Sequence, residues 1–154
     1  MIRAMGFLTV AMMAASGARA QGIALVPVFG LPGAAQADAK QRVVFYDPQQ
    51  IRQIGPDMAE FVIAHEEAHV RFGHAAPEGD VPADSTQIIA DESAADCQAA
   101  AKMVTAGTGS IDAVIRFFER VGPLRPDDDH PTGDTRAAVI RSCAATARKR
   151  GRSA

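Results

Sequence analysis

The run His65-Glu66-Glu67-Ala68-His69 constrains this chain more than any other stretch of it. Residues four apart lie on one face of an α-helix, so two imidazoles at this spacing reach one metal ion. Glu66 stands one step round from His65, where its carboxylate approaches a water on that ion without binding the metal itself. Glu67 falls about 200° round the helix from His65 and reads as a bystander. The pattern therefore calls for a helix. Met58, Phe61, Val62, Ala68 and Phe72 supply helical spacing from Gly55-Pro56-Asp57 to about Gly73. The chain holds four histidines, so a chance match is on the order of 1%, and the motif reads as a site.

A catalytic zinc takes three protein ligands and leaves a position for water. The third candidate is Glu92, on the next expected helix. Alone it would read as a solvated carboxylate. Two antiparallel helices joined by the loop 75–84 would bring it back beside the histidines. Asp96 lies one helical turn further on the same face. There it can accept a hydrogen bond from the non-ligating nitrogen of a bound histidine, fixing its tautomer.

The rest of the chain gives a coarse frame. Residues 21–40 are rich in Gly, Pro and Ala, have no sustained period, and read as a linker or loosely held arm. Arg42 to Tyr46 is β-branched and aromatic and ends at Asp47-Pro48, which reads as a strand. Asp47 is placed to cap a short helix from Pro48 to Ile54. Asp84 or Ser85 caps a long helix to about Ala106, ended by Gly107. Ser110 caps another to about Arg120, closed by Gly122-Pro123. A last helix runs from Thr135 to about Lys149, followed by a basic tail expected to fray. The expected fold is α+β and predominantly helical, with a short strand or small sheet beside the metal helix.

Composition narrows the function classes. The chain has 154 residues, fitting one domain, and its net charge is -2. No whole-molecule attraction to nucleic acid or anionic lipid follows from that charge. With no Trp and one Tyr, an aromatic platform for stacking bases is not expected. Residues 1–20 read as a signal peptide: Arg3, an apolar stretch from Ala4 to Ala15, then Ala18-Arg19-Ala20. The alternative is an uncleaved anchor. No later segment is long and apolar enough to span a bilayer. Export places Cys97 and Cys143 where a disulfide persists. Such a bond would close a loop of about 46 residues, worth roughly 3–4 kcal/mol in the chain-entropy model. Two buried thiols that never meet are the alternative.

The histidine motif followed by Glu92-Ser93-Ala94-Ala95-Asp96 resembles the gluzincin metallopeptidases. More narrowly, it is similar to the group containing the CAAX prenyl protease and the HtpX-like and BepA-like bacterial proteases. Members commonly carry a later His-Pro followed by an Arg, matched here by His130-Pro131 and Arg136. A histidine about five residues past the zinc histidines is frequent too, and His74 matches it. The resemblance covers roughly Val43 to Ile140. It implies a zincin-like core over 41–150 and one zinc ion on His65, His69 and Glu92. It also implies a bacterial, periplasmic or secreted setting and a protein or peptide substrate. The integral-membrane members carry hydrophobic spans and the periplasmic ones often a repeat domain. Neither is read here, which suggests a minimal catalytic core.

The expected chemistry is peptide hydrolysis, with Glu66 as general base toward the attacking water and proton donor to the leaving amine. By resemblance, His130 and Arg136 are the groups that would face the developing oxyanion. Otherwise His130 is a loop histidine, and Arg136 pairs with Asp127–Asp129 or Asp134. His74 lies about 140° round the helix from His69 and reads as structural, a cap on the helix end. The strand at Arg42–Tyr46 either offers an edge to an extended peptide or sits in the core. The run Asp127–Asp129 reads as a solvated acidic loop. The competing function is a zinc-holding, non-catalytic or chaperone-like module. Substrate preference and oligomeric state are not legible.

Overall fold

The computed structural model describes residues 22–74, 86–125 and 130–153. The signal segment, the loop 75–84 with its caps Asp84 and Ser85, and the run Asp127–Asp129 lie outside the described residues. The fold is α+β and mostly helical. A three-stranded sheet of β1 (Ala24–Pro27), β2 (Ala35–Asp38) and β3 (Val43–Tyr46) precedes α1 (Pro48–Gln53), α2 (Pro56–Phe72), α3 (Thr86–Ala106), α4 (Ile111–Val121) and α5 (Gly133–Gly151).

The sheet corrects the reading of residues 21–40 as a loose arm. β1 runs parallel to β3, with Ala24 opposite Val43, and β2 runs antiparallel to it, with Ala35 opposite Tyr46. β2 (Ala-Gln-Ala-Asp) has weak strand preference, and β1 (Ala-Leu-Val-Pro) holds a single β-branched residue and ends on a proline. The pairing partner, Val43-Val44-Phe45-Tyr46, supplies what they lack. Asp47 then fastens the loop between them. One of its oxygens caps α1 through Gln49 N at 2.8 Å, and the other accepts from Gly30 N at 2.7 Å. Gln50 adds a bond from Nε2 to the Leu31 carbonyl at 2.7 Å. The sheet order is β1-β3-β2. β3 is thus central, and the expectation that it offers an edge to a peptide is corrected, because both of its sides are already paired. Val44 is fully buried.

The helices follow their sequence signals. Pro56 opens α2, and Gly73, at φ 72°, ends it in the left-handed region that favours glycine. Ser110 caps α4 by accepting from Ala113 N. α5 begins at Gly133, two residues before the expected start, capped by Thr132, and it continues through the basic segment to Gly151. That segment was expected to fray. Lys and Arg in a last turn complement the negative end of the helix dipole, which favours the extension.

The core is built by α2, α3, α4 and α5 around Phe61, Met103, Val114, Phe118 and Ile140. Burying a side chain of this size contributes about 1.5–3 kcal/mol. Ala95, Ala99 and Ala100 give α3 a small-residue face, fully buried, that lets its neighbours approach closely. Gly133 is a second point of close approach. A Cβ there would meet the Phe118 carbonyl oxygen at 2.4 Å, so the start of α5 packs directly on α4. That contact sets Arg136 over the Phe118 ring, with its guanidinium carbon 4.4 Å from the centroid. α2 and α3 pair in opposite directions: Glu60 meets Thr108, His65 meets Asp96, and His74 meets Asp91. Cys97 and Cys143 form a disulfide that joins α3 to α5. No described helix is long and apolar enough to cross a membrane.

Candidate metal centre

The two motif histidines and Glu92 converge. Nε2 of His65 lies 3.0 Å from Nε2 of His69. Glu92 Oε2 is 3.2 Å from His65 Nε2, and Glu92 Oε1 is 3.2 Å from His69 Nε2. Four ligands held tetrahedrally at about 2.0–2.1 Å stand about 3.3 Å apart. The imidazole–imidazole separation is close to that edge length, each imidazole approaches a different oxygen of the Glu92 carboxylate at a similar distance, and one ligand atom from each of the three residues lies within 4.8 Å of the other two. Glu92 Oε2 is also buried, and although His65 Nε2 and His130 Nε2 lie 3.2 and 3.4 Å from it, it makes no well-aligned hydrogen bond among the described residues. A buried carboxylate oxygen left unbonded is costly, and a cation between it and the imidazoles would satisfy it. His65, His69 and Glu92 therefore fit a metal ion. The donor set of two imidazoles and one carboxylate suits a divalent transition metal.

The electrostatics favour positive charge at this spot. Burial raises the pKa of Glu92, but hydrogen bonds to His65 and His69 outweigh it and hold the carboxyl far below its usual range. Burial likewise lowers His65, and its bonds to Asp96 and Glu92 reverse the effect, lifting the ring to about 9. Where a proton is held so firmly between imidazole and carboxylate, a cation can take its place.

Asp96 stands where the sequence placed it. Its Oδ1 is 2.9 Å from His65 Nδ1, so His65 donates from Nδ1 and keeps the Nε2 lone pair for a metal. Arg136 departs from expectation. Its Nε and Nη2 donate to the two Asp96 oxygens at 2.9 and 2.6 Å. Nη2 also lies 3.4 Å from His65 Nδ1, but a nitrogen that donates to Asp96 has no lone pair to offer a guanidinium. Arg136 is thus buried behind His65, on the side away from Nε2. The expectation that it faces a developing oxyanion is corrected: it positions Asp96. The close approach at Gly133 brings Arg136 inward against Asp96.

Glu66 and His130 sit on the outer side. One Glu66 carboxylate oxygen lies within 4.8 Å of ring nitrogens of both His65 and His130. His130 Nε2 is 3.4 Å from Glu92 Oε2. Side-chain exposure rises from 3% at His65 to 12% at His69 and 24% at His130, so the site opens toward the His130 side. Glu67 faces away, as expected, and pairs with Lys102 at 2.5 Å.

Two contributors escaped the sequence reading. Phe118, beneath Arg136, gave no signal beyond its place on the apolar face of α4. His74 was read as capping the helix end, and its backbone N–H does donate to the His69 carbonyl at 3.0 Å. Its ring does more: Nδ1 meets Nδ1 of His69 at 3.0 Å. The glycine just before it was the available clue, since a left-handed residue folds the next one back over the helix end. No family model, curated protein or solved structure matches this chain.

Proposed function

We propose that this chain is a zinc-dependent metalloendopeptidase, of the gluzincin type that its motifs resemble, acting on peptide bonds of cell-envelope or secreted proteins. The observation that carries this reading is the triangle of His65 Nε2, His69 Nε2 and the Glu92 carboxylate, with edges of 3.0–3.2 Å, beside Glu66. Zinc held there supplies Lewis acidity and a water of lowered pKa. Glu66 acts as the general base toward the attacking water and returns the proton to the leaving amine. His130, at the open side, is in place to donate a hydrogen bond to the oxygen of the scissile carbonyl as charge develops on it. Arg136 and Asp96 act from behind, holding His65 in its ligating tautomer.

The test is metal content and peptide cleavage measured together. Purified wild type is expected to hold one zinc and cut a casein or peptide-library substrate. Glu66→Gln should keep the zinc and lose cleavage by about 10²–10⁴-fold. His65→Ala should lose the zinc. A folded wild type that takes up no zinc sinks the proposal. The second reading, a zinc-holding module without turnover, draws on the 3.4 Å approach of His130 to Glu92, because a fourth protein ligand closes a zinc site. Stoichiometric zinc with no cleavage, unchanged by Glu66→Gln, would select it.

A further inference from the structure

A metal-ligating histidine needs a partner for its other ring nitrogen, and the two histidines of this site find theirs differently. His65 uses Asp96. No carboxylate is described against His69 Nδ1, which instead meets the ring of His74 at 3.0 Å. That ring is itself held. Its Nε2 faces Asp91 Oδ1 at 3.5 Å, and Gln87 Nε2 donates to the same oxygen at 2.8 Å. Phe72 packs beside it, with ring centroids 5.3 Å apart. If His69 gives its Nε2 lone pair to a metal, its proton resides on Nδ1. His74 Nδ1 must then accept, which leaves its own proton on Nε2, on the side of Asp91. One arrangement of protons satisfies every contact in the row.

We infer that His74, steadied by Asp91, is a positioning residue that fixes His69 as a metal ligand, an imidazole relay doing for His69 what Asp96 does for His65. The inference rests on the metal reading above. It places the helix-ending Gly73 in the site's construction as well. Continued as helix, His74 would point about 140° away from His69. The left-handed turn at Gly73 brings it back.

The experiment is zinc affinity by chelator competition at one fixed pH, on the full chain. The variants are His74→Ala, His74→Asn and Asp91→Asn. Removing an outer partner of a metal-bound histidine weakens binding by about 10–100-fold, and that is the loss expected for His74→Ala. In His74→Asn the carboxamide oxygen can take over the accepting position, and affinity should return to within about threefold of wild type. Asp91→Asn should fall between the two. In zinc-loaded wild type and His74→Asn, proton NMR should show a slowly exchanging imidazole N–H from His69, absent in His74→Ala. The relay is overturned if His74→Ala binds zinc within about twofold of wild type, or if His74→Asn rescues nothing. Those outcomes leave the zinc site standing. A wild type that binds no zinc instead removes the site and the relay together.

Discussion

His65 and His69 stand one turn apart on the same helix and aim at the same point, yet their surroundings differ. His65 is backed by Asp96, Arg136 and the Phe118 ring, all within the core. His69 is backed by His74, Asp91 and Gln87 at the end of α2, where solvent reaches. The first support is drawn from three helices and a buried ion pair. The second is drawn from one helix end and the first turns of the next. The comparison teaches that one site can be anchored on one side by the fold's stability and adjusted on the other without disturbing the core. Inside, removing a group leaves a buried charge unpaired; at the rim, water can stand in.

The largest expected effect is on the inner side. Asp96→Ala removes the carboxylate that takes two bonds from the buried Arg136 guanidinium and should lower the unfolding free energy by about 3–5 kcal/mol, read from urea melts of metal-free protein. Replacing both partners with apolar residues (Asp96→Leu with Arg136→Met) should recover most of that loss. Burial raises the Asp96 pKa, but Arg136 and His65 outweigh it, so the carboxyl is held below its ordinary value of 3.8. Its contribution is therefore full above about pH 4 and fades as pH falls through the lower folded value. A loss under about 1 kcal/mol at neutral pH would erase the contrast between the two sides.

Next in size is the disulfide, which joins α3 to α5 one residue past Asp96. Cys97→Ala with Cys143→Ala should cost roughly 3–4 kcal/mol in the chain-entropy model. Hydrogen exchange should quicken around Asp96 and Arg136 and stay unchanged at His74. Equal quickening at both ends would show that the two supports are mechanically one.

The smallest expected effect is at the rim. A Cβ on Gly73 meets nothing within 4 Å, so Gly73→Ala adds no clash, only the strain of φ 72°. That strain is about 1–2 kcal/mol. Thermal melts should show a modest loss and zinc binding a weakening confined to the His69 side. A melt that drops as far as that of Asp96→Ala would reverse the ranking.

Much of the helical frame was legible because its signals are local. Pro48, Gly73 and Gly107 mark their helix ends by backbone preference and Ser110 by a side-chain cap, and these stand within a residue or two of expectation. β1 and β2 were not legible. Residues 35–38 have little strand preference, residues 24–27 are too short and Pro-ended to signal a strand alone, and both become strands by pairing with Val43–Tyr46. Arg136 was legible as a participant but not in its role, since its direction follows from how closely α5 approaches α4 at Gly133.

The sequence by itself determined the candidate ligand pair and the carboxylate beside it, because a four-residue spacing on a helix leaves His65 and His69 on one face with Glu66 next to them. It also placed Glu92 and Asp96 one turn apart, ready for any helix packed antiparallel to the first. Only the tertiary structure decided which nitrogen each imidazole turns to the common point. Asp96 and His74 arrive from other segments, and a ring's orientation is set by the partner that takes its second nitrogen, which no spacing within one helix specifies.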